Sequence, residues 1–169
     1  VATAGEIASA SKYIIAAVTP DQVANAARSV GRIRDEQRYL DINSAAPEKK
    51  KAAARVIGDG YLDLAVLAPV HPKKQATPML IGGSFAQQEV EFFARHFPAA
   101  EIFSATVGEA SLVKMIRSIF VKGLESVTME CALAAYRAGL ADRIFPSLDN
   151  VLRFTETRAL ADYTMERIA

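Results

Sequence analysis

The sequence predicts an α/β protein: a mainly parallel sheet with helices on its faces, then a long helix and the start of a helical region. Three observations predict it. Short continuous apolar runs, rich in branched and aromatic residues, recur between residues 13 and 105, as buried strands require. Helical stretches of about ten residues lie between most of them, the spacing of strand–helix–strand units. From Glu109 to about Ala138 there is no proline, and Gly123 is the only interior glycine. That leaves a helix of about thirty residues, roughly 45 Å long.

Each element has its own local reason. "YIIAAV" (13–18) reads as a buried strand, stopped by "TPDQ", with a helix starting near Pro20 and capped by Thr19. "RYLDI" (38–42) is a second strand that ends in "NSAAP". Pro47 then opens a helix to about Ile57, a proline at the first helical position. "YLDLAVLAPV" (61–70) is a third strand, and "PMLIGGS" (78–84) a fourth, turning at Gly82-Gly83. "FAQQEVEFFARHF" (85–97) is an amphipathic helix, and "AEIFSA" (100–105) the last strand. Gly108 precedes the long helix and Gly139 stops it. The tail, 140–169, has helical composition but is broken by Pro146. The expected organisation is a sheet domain over 1–107 and the long helix with the beginning of a helical domain over 108–169. No internal repeat or low-complexity tract stands out.

Composition narrows the classes. The 169 residues suit one domain, or one and a small extra. With 51% hydrophobic and 23% charged residues, the chain can bury a core. A net charge of +1 gives no argument for nucleic acid or an anionic membrane as partner. The basic run "EKKKAAAR" (48–55) reads as a solvated helix face. Cys131 is the only cysteine, so no intrachain disulfide can form, and a zinc cluster lacks ligands. Its setting, "TMECALAAY", marks it as a small buried apolar residue. Such cysteine usage is compatible with a cytoplasmic protein. No apolar run reaches the roughly 18–20 residues of a membrane span, and the N-terminal residues do not read as a signal peptide.

The long helix carries a polar stripe. At about 100° per residue, Ser111, Lys114, Arg117, Ser118, Lys122, Glu125 and Thr128 fall within roughly 140° of arc. Leu112, Val113, Ile116, Ile119, Phe120, Leu124, Val127 and Cys131 fill much of the rest. An ordinary wet face accounts for such a stripe. So does a cleft: a cation crowded by apolar groups needs a partner, and burial lowers the pKa of a lysine toward the range of proton transfer. The pattern alone allows a catalytic Lys114 without demanding it.

Four motifs in one order add a resemblance. "YLDINSAAP", "YLDLAVLAPV", "PMLIGG" and "VGEASLVKMIRSIFVKGLESVTMECALAAYRAGL" together resemble the β-hydroxyacid dehydrogenases, the superfamily of 6-phosphogluconate and 3-hydroxyisobutyrate dehydrogenases. The likeness is greatest to its 6-phosphogluconate-dehydrogenase-like oxidoreductase branch, and runs from about residue 6 to about 145. It implies part of a Rossmann-like cofactor domain, whose long interdomain helix enters an all-helical domain that often dimerises. It also implies hydride transfer between NAD or NADP and the carbinol carbon of a small hydroxyacid. The family's catalytic lysine follows a glycine by six residues, as Lys114 follows Gly108. The family's substrate-binding asparagine four residues on is Ser118 here. Arg117 is a candidate for a substrate carboxylate, or for a structural ion pair. Where relatives carry a substrate-cradling Ser-Gly-Gly, this chain has Leu67, Ala68 and Pro69, which implies a more apolar pocket. Val18, Thr19 and Pro20 match the loop beside the cofactor, and Asn43 and Ser44 the polar pair near the nicotinamide ribose. Ligands in open α/β sheets do bind at strand C-terminal ends.

A GxGxxG turn between a strand and a helix is missing: "GDG" (58–60) precedes a strand, and Gly82-Gly83 does not qualify. The family places that turn upstream of "YIIAAV". The chain thus reads as the middle of a dehydrogenase, without the phosphate-binding half that also selects NAD or NADP. The rival expectation is a non-catalytic module that dimerises through the long helix. His96 ends a helix, where it suits the dipole, and His71 follows the third strand; neither separates the two.

Overall fold

The computed structural model describes residues 3–149 and 156–161. α1 (Ala4–Ala10) opens with a capping box: the Thr3 hydroxyl accepts from Glu6 N, and the Glu6 carboxylate accepts from Thr3 N. Five strands follow: β1 (Tyr13–Ala16), β2 (Arg38–Asp41), β3 (Tyr61–Val66), β4 (Met79–Gly82) and β5 (Ala100–Ser104). They lie in one sheet in sequence order. The β1–β2, β2–β3 and β4–β5 pairs are parallel and β3–β4 is antiparallel, so the sheet is mainly parallel as expected. α2 (Val23–Val30) and α3 (Pro47–Ile57) connect the parallel strands at the start. α4 (Val70–Lys73) precedes β4, α5 (Val90–His96) precedes β5, and α6 (Glu109–Arg137) and α7 (Ala141–Leu148) complete the described elements.

Boundaries differ from expectation for local reasons. Residues 17–20 and 67–70 lie outside strands. The third run ends at Val66: the Leu67 amide makes one more bond across to the Pro78 carbonyl, at 2.9 Å, and the chain then turns through residues 69–77 and returns as β4. α2 starts at Val23, not near Pro20. The Gln22 amide closes a turn on the Thr19 carbonyl, so the Thr19 side chain is not its cap. Only Val90–His96 of the run 85–97 is α-helical, after a tighter turn at Gln87–Glu89. Pro146 sits inside α7 rather than breaking it, two residues before its end. Residues 150–155 and 162–169 of the expected helical tail lie outside the described residues.

Strand side chains alternate between faces, which divides the core. Tyr39 and Tyr61 stack on one face, packed in a buried cluster with Val23 and Ala27 of α2 and with Ala53 and Ile57 of α3. Leu40, Leu62, Leu64 and Ile81 point to the other face, against Phe93 of α5. A further buried ion pair, Arg38–Glu89 at 2.8 Å, receives a hydrogen bond from Tyr13 OH.

The chain divides into two compact units, Val1–Ile119 and Phe120–Ala169. In the first, Ala110 packs with Ala65 and Leu80, beside Leu67 and Val113. Beyond that contact the apolar side of α6 is largely uncovered: Ile116 is 60% and Ile119 75% exposed. In the second, the Tyr136 ring meets Phe145 edge-on. Leu124, Val127, Cys131, Phe145 and Leu148 line an apolar groove. Cys131 is half-buried rather than buried, because two helices cover only one side of each other.

Candidate active site

Odd-numbered residues of β2 and β3 face α3, and among them are Asp41 and Asp63. The two strands carry the same three residues, Tyr-Leu-Asp, in register: Tyr39 beside Tyr61, Leu40 beside Leu62, Asp41 beside Asp63. Both carboxylates are fully buried, which is costly unless a cation and hydrogen bonds answer them. Lys50 of α3 is that cation. Its side chain is fully buried, and its Nζ lies 2.9 Å from Asp41 Oδ1 and 3.3 Å from Asp63 Oδ1, and donates to the Asp41 carbonyl at 2.8 Å. Tyr61 OH donates to Asp41 Oδ2. Burial first, and Asp41 next, push the Tyr61 phenol well above its ordinary pKa, so it remains a donor.

Each carboxylate also organises a segment of backbone. Asp41 Oδ1 accepts from Asn43 N at 2.9 Å and from Asn43 Nδ2 at 2.7 Å. Asn43 Oδ1 accepts from Val18 N at 2.6 Å. The buried Asn43 side chain thereby joins the turn after β2 to the loop after β1. Lys49 Nζ donates to the Pro20 carbonyl in the same loop. Asp63 caps α6: Oδ2 accepts from Gly108 N at 3.1 Å and Ser111 N at 3.0 Å, and Oδ1 from Ser111 Oγ at 2.6 Å. A carboxylate at a helix N-terminus is also favoured by the helix dipole. Gly108 has φ +96°, and a side chain there would press on Pro47 and Lys51, so glycine is required.

These two segments meet at Lys114. Its Nζ donates to Ser44 Oγ at 2.6 Å, across 70 positions of sequence. Burial, then the Lys50 ammonium, lower the Lys114 pKa, while Asp63 opposes them. A half-buried amine with a depressed pKa at the mouth of a buried charge network is equipped to exchange protons.

The remaining expected residues fall as follows. Ser118 Oγ donates back to the Lys114 carbonyl at 2.8 Å. Arg117 is exposed and makes no ion pair among the described residues. Leu67 packs with Ala110 and Val113 on the turn of α6 that precedes Lys114. Ala68 is half-buried, and Pro69 is exposed at the start of α4. Val18, Thr19, Pro20 and Ser44 are exposed. His71 is exposed, and His96 ends α5 against Phe92. The basic run 48–55 is not wholly a solvated face, since Lys50 points inward with Ala53 and Ile57. Two signals mark the network in the sequence. An aspartate stands inside each of two apolar strands in the repeated "YLD". Lys50 also stands three and seven residues before Ala53 and Ile57, on one helix face.

No family model matches the sequence. An uncharacterised 28.5 kDa protein from Methanothermus fervidus is 26% identical over 159 residues, 94% of this chain and 60% of that protein. A conserved hypothetical protein from Sinorhizobium meliloti is similar in structure, with 31% identity and TM-score 0.70 over 98% of this chain and 56% of its own. So is a conserved protein of unknown function described as structurally similar to 3-hydroxyacid dehydrogenases, with 30% identity and TM-score 0.68 over 90% of this chain and 57% of its own. Imine reductases, among them one from Myxococcus stipitatus in complex with NADP+, share the fold at lower identity. The structural neighbours are therefore 3-hydroxyacid-dehydrogenase-like proteins and imine reductases, and this chain spans about 56–62% of their length.

Proposed function

We propose that this chain is part of an NAD(P)-dependent oxidoreductase of the β-hydroxyacid dehydrogenase type, with Lys114 as general acid/base. The single observation that carries the reading is the Lys114–Ser44 hydrogen bond, 2.6 Å, beside the C-terminal end of β2. Ligands of open α/β sheets bind at such ends, and the amine there has its pKa lowered.

The residues present suit the nicotinamide-ribose side of a dinucleotide. The exposed loop Val18–Pro20 and the Ser44 hydroxyl stand at the ends of β1 and β2, and the Asn43 side chain keeps that loop in place. Among the described residues no GxGxxG turn follows a strand to hold the pyrophosphate. The bound nicotinamide would supply or accept the hydride. Lys114 Nζ would take the hydroxyl proton of the carbinol as the carbonyl forms, and return it in the reverse direction. Ser44 Oγ would hold the amine in place. Arg117 would bind a substrate carboxylate, Ser118 would turn its hydroxyl to the substrate, and Leu67, Ala68 and Pro69 would form an apolar wall. NAD and NADP both suit this reading, and the substrate is a small hydroxyacid, or a keto acid or imine in the reductive direction. Screening hydroxyacids against cyclic imines separates these.

Lys114→Ala in the full-length protein is expected to lower turnover by about 10²–10⁴-fold, with NADH or NADPH still bound. A normal rate would overturn the reading. The second reading, a non-catalytic module that dimerises through α6, is favoured by its exposed Ile119, Val127 and Tyr136. It predicts a stable oligomer of the 169-residue chain with no affinity for either cofactor, measured by light scattering and fluorescence titration.

A further inference from the structure

We infer that Lys50 is a positioning residue for Lys114: its ammonium, held between Asp41 and Asp63, ties together the two segments that meet at the Ser44–Lys114 hydrogen bond and biases the charge of that amine. The consequence for catalysis rests on reading Lys114 as the general acid/base.

The connectivity is short. Asp41 fixes Asn43, and Ser44 follows it. Asp63 fixes Gly108 and Ser111, and Lys114 lies one turn further along α6. Lys50 Nζ is within 3.3 Å of both carboxylates. Packing alone does not call for this ion group, because apolar side chains in place of Asp41, Lys50 and Asp63 together would fill such a place as well or better. A fully buried lysine is rare, and this one has a charged neighbour whose protonation it opposes.

The groups around Lys114 set the sign. From α3 comes the Lys50 ammonium, with Lys51 beside Gly108. From β3 comes the Asp63 carboxylate; the Asp41 carboxylate of β2 is held by Lys50 and by the Tyr61 hydroxyl. Ser44 is neutral, and on α6 itself Arg117 and Glu109 are exposed. Replacing Lys50 by a neutral residue removes a like charge and bares two carboxylates. Both changes favour the Lys114 ammonium and leave less free amine to act as base.

The test is competitive acylation of amines by trace acetic anhydride across a pH series, on the full-length protein without substrate. The Lys114 peptide is read by mass spectrometry against N-acetyl-lysine amide as internal standard. In the wild type, Lys114 is expected to titrate below the standard. In Lys50→Met its midpoint moves upward, so that below the midpoint it reacts about threefold more slowly. Lys50→Arg, which keeps the charge, stays near the wild type. Where Lys50→Met does not fold, Asp41→Asn with Lys50→Met removes one charge of each sign and bares Asp63 alone, and a smaller upward movement is expected. An unmoved midpoint in a folded variant lacking Lys50, or a wild-type Lys114 that titrates with the standard, overturns the inference. These readings are independent of turnover. A normal rate in Lys114→Ala overturns the acid/base reading alone.

Discussion

At the scale of the residue, the role proposed for Lys114 and the stability of the fold make opposite demands. The folded pKa of Lys114 lies below the ordinary value, chiefly through burial and Lys50. The unfolded chain therefore holds the proton more tightly, and at neutral pH the folded state bears a penalty for the ammonium. That penalty is relieved as pH rises through the folded pKa toward the ordinary lysine value of about 10.4. Lys114→Met is thus expected to raise the melting temperature at pH 7, by an amount that shrinks in alkaline buffer, while turnover is lost. Thermal melts at two pH values check this, and a lower melting temperature at pH 7 would contradict it. The polar stripe of α6 allowed such a lysine without demanding it, and only the family resemblance singled it out. Lys50 was not legible, because a lysine in "EKKKAAAR" looks solvated until two buried aspartates are seen to require a cation.

At the scale of the element, α6 depends on a residue from another strand. Asp63 receives two amides and a hydroxyl from its first turn, and it also pairs with Lys50 Nζ at 3.3 Å. Asp63→Ala removes a cap and leaves a buried ammonium with one carboxylate. The expected destabilisation is about 3–5 kcal/mol, read from urea unfolding, with early hydrogen exchange at Leu112 and Val113. A loss near the roughly 1 kcal/mol of an ordinary cap would mean that the ion network contributes little. α3 was legible end to end, because Pro47 and Gly58 mark its limits. The extent of α5 was not, since "FAQQEVEFF" has helical periodicity but its first turns follow Gly83 at φ +141° and wind more tightly.

At the scale of the whole molecule, three tyrosines report on the sheet. Burial raises Tyr13 and Tyr39 to about 12, and Tyr61 further. A group whose folded pKa is raised contributes stability that is complete below its unfolded value, about 10 for tyrosine, and is lost as pH climbs through the folded value. Stability is therefore expected to fall between pH 10 and 12, with phenolate absorbance of these residues appearing only as the fold opens. Ionisation of all tyrosines near pH 10 in the folded protein would refute this. The sequence by itself determined the α/β class, the succession of strands and helices along the chain and the length of α6, because strand and helix periodicities and their glycine and proline stops are local. Lys114 was singled out by the family resemblance, in which a lysine follows a glycine by six residues as Lys114 follows Gly108. Tertiary structure decided the reversal of β4, the pairing of Asp41 with Asp63, the inward turn of Lys50 and the meeting of Lys114 with Ser44. Those depend on which strands lie side by side, and a buried charge acquires its partner only when they do.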